Sequence, residues 1–218
     1  MLIIIDRALK AKCPRTALGC VEAMVNPGPS EALIADLKRC EETVLQLPEP
    51  RAVLESPQIL KTRAAYKALG KDPARYRGSA EALLRRVIAG KGLPRINAVV
   101  DIINIASVES RWSIGLYDLD HVQGDIVFRA GRCGESYKGI GKYDLNLEGL
   151  PVFCDALGPH GSPTSDSERT MVTAGTRHVL AIIISFGGKE GLEGGTKRLA
   201  ELFERFASGT ALETRVTS

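Results

Sequence analysis

The stretch 178–186 (HVLAIIISF) constrains the fold more than any other part of the chain. Its core, 180–186, is the longest apolar run in the sequence, yet it falls far short of the roughly 20 residues that a membrane span needs. Rich in β-branched residues and short, it reads as a buried strand. The 218 residues, 44% of them hydrophobic, are enough to wrap such a strand. By size scaling, a domain of this length hides roughly 70% of the surface its unfolded chain exposes, so neither disulfides nor a metal are required.

The N-terminus, MLIIIDRALK, places its apolar residues ahead of any charge and only five in a row, unlike a secretory signal. A cytoplasmic protein is expected. Five cysteines (Cys13, Cys20, Cys40, Cys133, Cys154) form no CxxC pair and read as reduced thiols. No metal and no cofactor is expected.

Strands are predicted at 2–5 and 17–25. The turn 26–30 (NPGPS) follows, and Ser30 N-caps a helix over 31–47 that Pro48 and Pro50 stop. Further helices are predicted at 58–69, ended by Gly70, at 79–88 with Ser79 as N-cap, and at 97–110. After Trp112 the texture changes to strands at 114–119, 125–130, 151–155 and 178–186, separated by glycine-containing turns. A last amphipathic helix spans 195–207. Helices mainly in the N-terminal half and strands in the C-terminal half describe an α+β fold in one domain, 1–218.

Charge is unevenly spread. Between 61 and 95 ten basic residues meet two acids, a local net of +8, so the rest of the chain carries −5 against an overall +3. Lys67, Arg75, Arg77, Arg85 and Arg86, with Tyr66 and Tyr76 interleaved, suit phosphate contacts and base stacking. Two solvated helix faces would give the same pattern.

A polar row, Asn97, Asp101 and Asn104, extended by Ser107, recurs at helical spacing among apolar residues and can face one pocket. Asn97 serves equally as a helix N-cap. In the meander that follows, Glu135 beside a glycine-rich turn can bind an ammonium group, orient water or cap the turn. The hydroxyl-rich segment 163–170, with Thr173 and Thr176 after it, makes a substrate-facing loop or a solvated hairpin. The three histidines (His121, His160, His178) enter no Ser-His-Asp, Cys-His or HExxH arrangement.

The string AYKALGKDPARYRGSAEALLRRVIAGKGLPRINAVVDIINIASV, followed by GLYDLD, GD, FRAGRCGE and SDSERTMVTAGT, resembles the B3/B4 domain of the phenylalanyl-tRNA synthetase β subunit in its free-standing bacterial form. The resemblance covers 61–186 and is weaker over 1–60. It implies a layered ββα sandwich and an editing pocket that hydrolyses amino acid wrongly esterified to tRNA, with an aminoacylated tRNA 3′ end as partner. Carried over by position, it implies that Asn97, Asp101, Asn104, Tyr117, Asp118, Glu135 and Thr170 line that pocket. Asn104 and Ser107 would hold ribose or ester, Glu135 the substrate ammonium. No covalent nucleophile is implied: water attacks, helped by the terminal ribose hydroxyl. The chain departs from the pattern at 158–165 (GPHGSPTS), where such relatives carry an aromatic, arginine-rich stretch. With no ATP-binding signature the chain would act in trans as a deacylase. The alternatives are a non-catalytic RNA-binding module or an amino-acid-binding protein, and a homo-oligomer is compatible with either.

Overall fold

The structure is a computed structural model and describes residues 1–141 and 144–218. The apolar run becomes β9 (His178–Ser185). It pairs antiparallel with β2 (Ala17–Met24) on one side and β3 (Ser113–Asp118) on the other, and β10 (Thr210–Thr217) adds to β2, giving the order β10-β2-β9-β3. Strand alternation sorts its side chains. Val179, Ala181 and Ile183 point one way with Val21, Ala23, Ile114 and Leu116. Leu180, Ile182 and Ile184 point the other way with Leu18, Cys20 and Tyr117.

Helices cover the first face: α2 (Glu31–Leu45), α4 (Ser79–Ile88), α5 (Ala98–Ser110) and α6 (Leu192–Ala207), contributing Leu37, Leu84, Ile102 and Phe203 among others. A second sheet covers the other face. Its strands β1 (Ile3–Ile5), β4 (Ile126–Ala130), β7 (Pro151–Asp155) and β8 (Gly158–Gly161) run in the order β1-β4-β7-β8. Phe128 and Phe153 stack between the sheets at 4.2 Å. α1 (Arg7–Lys12) and α3 (Pro57–Ala68) close this core with Leu9 and Ala65, and a hairpin of β5 (Ser136–Lys138) and β6 (Asp144–Asn146) flanks it. The layers are therefore sheet, sheet and helices, the ββα sandwich expected, with α1–α5 ahead of β3 and most strands after it.

Some local expectations shift. Ser79 does not cap α4; Gly78 occupies that place, and the Ser79 amide instead donates to the Pro163 carbonyl at 2.7 Å. A Cβ on Gly78 would sit 2.8 Å from Ser113 Oγ, so this position needs its bare backbone. α6 starts at Leu192, ahead of the expected 195, because Leu192 is buried against the sheet. α1 and β10 are additional elements. Asp6 caps α1 by accepting from the Ala8 and Leu9 amides, and β10 exists through its ladder with β2.

Candidate functional site

α3 and α4 form the walls of a cleft of about 410 Å³ in which Arg63, Lys67, Arg77 and Arg85 surround Glu81. Glu81 is buried and acts as the hub: Arg63 grips both carboxylate oxygens at 2.9 and 2.8 Å, Arg85 Nε donates at 2.7 Å, and Arg77 stands 3.9 Å away. Burial pushes the Glu81 carboxyl up, but the hydrogen bonds from Arg63 and Arg85 outweigh it and hold the group below the usual carboxylate range. One buried acid thus organises a surplus of exposed cations.

The other basic residues have different settings. Arg75 and Lys71 lie over the Tyr76 ring at 5.7 and 4.2 Å. Arg86 turns away and donates to the Gly92 carbonyl, fixing the end of α4. Tyr66 cannot stack on a base: it is buried, and its hydroxyl meets Thr164 Oγ1 at 2.8 Å. That contact, with the Ser79 to Pro163 bond, seats the cationic face directly on the loop 162–170.

Under this loop, between the two sheets, lies a polar centre. Tyr117 is fully buried, its ring filling the space above Gly115 and Gly161, where any Cβ would fall 2.2 Å from its hydroxyl. That hydroxyl donates to Asp166 Oδ1 at 3.2 Å, and Asp166 also accepts the Leu116 and Ser162 amides. Burial, then the Asp166 charge, raises the Tyr117 phenol well above its ordinary range, so it stays protonated. His160 stacks edge-on against Tyr117 at 4.6 Å. Both of its ring nitrogens are buried with no hydrogen-bond partner, and Ser167 Oγ shares that condition among the described residues. Burial pulls the His160 pKa down to about 4, keeping the imidazole neutral. Thr170, also buried, reaches the His160 carbonyl at 3.5 Å. Arg169 is committed elsewhere, gripping both oxygens of Asp155 at 2.9 and 2.8 Å.

The structure brings Tyr117 and Thr170 together but puts the α5 row across the central sheet from them. Asn97 caps α5, accepting from the Val100 amide at 3.0 Å. Asp101 is buried and takes hydrogen bonds from Arg95 Nε and the Ile96 amide; Asn104 donates to the Pro94 carbonyl at 3.4 Å. Ser107 donates to the Trp112 carbonyl at 2.6 Å. The row therefore pins the segments that flank the helix. Asp118 accepts from Thr176 Oγ1 and the Asp120 amide, and lies 3.4 Å from His121. Glu135, on the turn after β4, is clasped by Arg129 at 2.8 and 2.7 Å and by the Arg132 amide at 2.7 Å. The Arg129 hydrogen bonds hold its carboxyl below the usual range. His160 and Asp166 carried no distinctive spacing in the sequence; only pairing of β7 with β8 and the fold of the loop place them beside Tyr117.

Comparisons with known proteins bear on this geometry. The profile of the B3/4 domain family matches residues 61–207, which is more than half of the chain. The chain belongs to the B3/4 domain family. Among solved structures, this B3/4 domain protein is similar to an N-terminal fragment of the phenylalanyl-tRNA synthetase β-subunit from Pyrococcus horikoshii, with 16% identity and a TM-score of 0.51. The match covers 100% of the chain and 54% of that fragment, so the B3/4 domain protein spans about half the length of its structural relative. At this identity the likeness is one of fold. A comparison with curated proteins gives no match. Among the described residues no three His, Cys, Asp or Glu side chains gather where they could hold a metal ion, and no helix is long and apolar enough to cross a membrane.

Proposed function

We propose that this B3/4 domain protein is a trans-acting aminoacyl-tRNA deacylase, which holds the nucleic acid on the α3–α4 face and hydrolyses the ester of a mischarged tRNA at the seam beneath the loop 162–170. The observation that carries this reading is contiguity. The cleft of Arg63, Lys67, Arg77 and Arg85 abuts the loop through Tyr66 and Ser79, and the loop covers a polar centre containing a buried imidazole with both nitrogens unpartnered. Buried polar atoms of this kind are rare and mark a place where a ligand atom or water completes the site.

In this reading Lys67, Arg75, Arg77 and Arg85 neutralise phosphates near the 3′ end. The loop 162–170 parts to admit the aminoacyl group. Water attacks the ester carbonyl carbon and gives up a proton to His160, which burial keeps neutral at the cost of making it a weaker base than a free imidazole. The Tyr117 and Thr170 hydroxyls turn from Asp166 and the His160 carbonyl to donate to the tetrahedral oxyanion, and its collapse expels the ribose oxygen, which takes back the proton. Free amino acid and tRNA result. Asn97, Asp101, Asn104 and Ser107 act in this scheme only by fixing the segments that flank α5, across the central sheet from the seam, while Asp118 and Glu135 fix the local turns they hold.

The engagement of Asp101, Asn104 and Glu135 in internal bonds favours one second reading, a tRNA- or RNA-binding module without catalysis. A panel of purified aminoacyl-tRNAs separates the two. Release of amino acid above the spontaneous rate for at least one pair supports the deacylase; tRNA binding with no hydrolysis across the panel leaves the binding module.

A further inference from the structure

A second cationic pocket lies in the helical layer, between α2, α5 and α6, none of which lines the α3–α4 cleft. It encloses about 370 Å³, and four arginines reach it: Arg39, Arg111, Arg198 and Arg205. Two acids face them. Asp36, buried, is shared by Arg39 at 2.5 Å and Arg205 at 3.0 Å, and Glu109 takes both hydrogen bonds of Arg198 at 3.0 and 3.1 Å. The wall therefore keeps a net charge of +2. Its apolar floor is Val44, Val108 and Cys40, whose thiol burial pushes up to about 12, so the floor adds no negative charge.

Arg111 is the informative member. Among the described residues its guanidinium has no ion pair and no hydrogen bond, although the residue is half-buried and burial lowers its pKa. It also closes α5 in the left-handed region at φ 67°, a C-terminal position that glycine fills without strain. An arginine here accepts backbone strain and partial desolvation with only the longer-range attraction of Glu109 to set against them.

We propose that this pocket binds a small ligand through a phosphate dianion, a phosphomonoester or a pyrophosphate group. Arg111 supplies a fork whose donors make no hydrogen bond among the described residues, and Arg39 and Arg205 complete the clasp by sharing their charge between Asp36 and the ligand. Two negative charges match the surplus of the wall. The planar guanidinium favours the paired oxygens of a phosphate over a halide, and the volume suits a small ester rather than a bare ion. The inference stands independently of the deacylase reading, because no residue of the pocket belongs to the seam or the α3–α4 face.

Calorimetric titration of the full chain with pyrophosphate and, separately, inorganic phosphate tests it. The expected result is saturable one-to-one binding of pyrophosphate that weakens about tenfold or more in Arg111→Gln, which keeps the backbone conformation unchanged, and in Arg205→Gln, whose exposed side chain can be shortened without unfolding the helix. Lys12→Gln, exposed on α1 across the central sheet from the pocket, should bind as the wild type does. Absence of saturable binding to the wild type, or affinity unchanged in both arginine variants, overturns the proposal. A loss of tRNA affinity in Arg111→Gln as large as that in Arg77→Gln overturns it too, since the pocket would then be part of a polynucleotide footprint.

Discussion

The two faces of the central sheet handle polar groups in opposite ways. On the helical face every polar residue of the α5 row ends on a nearby backbone group: Asn97 on Val100, Asp101 on Ile96, Asn104 on Pro94 and Ser107 on Trp112. These bonds close within about one helical turn or in the adjoining loop. On the face between the sheets, Tyr117 finds Asp166 across 49 residues, and the two ring nitrogens of His160 find no hydrogen-bond partner among the described residues. The lesson is that regular spacing of polar residues on a helix records how its ends are tied down, whereas long-range bonds and an orphaned imidazole record a place built for something else.

The comparison breaks or sharpens under substitution. The largest effect is expected from Tyr117→Ala, which empties a fully buried ring site between the sheets and should cost about 3–5 kcal/mol in urea unfolding. A cost near that of a surface change would mean that the seam is not packed as described.

Next comes the pH dependence of His160. Its folded pKa, about 4, lies below the unfolded value of 6.5, so the unfolded chain binds the extra proton and stability falls as pH drops through that window. Between about pH 7 and pH 5 this single group should remove about 2 kcal/mol. Glu81, Glu135 and Asp155, all held below their ordinary range, lose their contributions only at more acid pH. In His160→Leu the slope between those pH values should flatten; an unchanged slope would show that the imidazole is solvated.

On the helical face the effects should be smaller and silent in activity. Asp101→Ala removes the acceptor for Ile96 and Arg95 and should cost about 1–2 kcal/mol by denaturation. Asn97→Ala, the loss of one cap, should cost about 1 kcal/mol. If either variant, fully folded, loses deacylation of a substrate that the wild type hydrolyses, the division between the two faces fails.

Much of the architecture was legible because it depends on local pattern. The apolar run within 178–186 announced a buried strand, and Ser30, Gly70 and Asn97 marked helix ends that lie within a residue or two of those observed. β8, spelled Gly-Pro-His-Gly, carries no strand propensity; it is a strand because β7 pairs with it. Ser79 looked like a cap from its neighbours alone, but a partner some eighty residues away took its amide. The basic stretch was visible as charge, while its division into a cleft around Glu81, a stack on Tyr76 and a helix tether at Arg86 was not.

The sequence by itself determined the α+β class, a buried strand at 178–186 and the concentration of positive charge before α5, since apolar periodicity and composition act residue by residue along the chain. Only the tertiary structure decided which polar groups meet. Tyr117, His160, Asp166 and Thr170 are joined by strand pairing and loop closure, and a hydrogen bond between distant segments leaves no period in the sequence. The same holds for Arg39, Arg111, Arg198 and Arg205, which lie on three helices and form one pocket only because those helices pack together on the sheet.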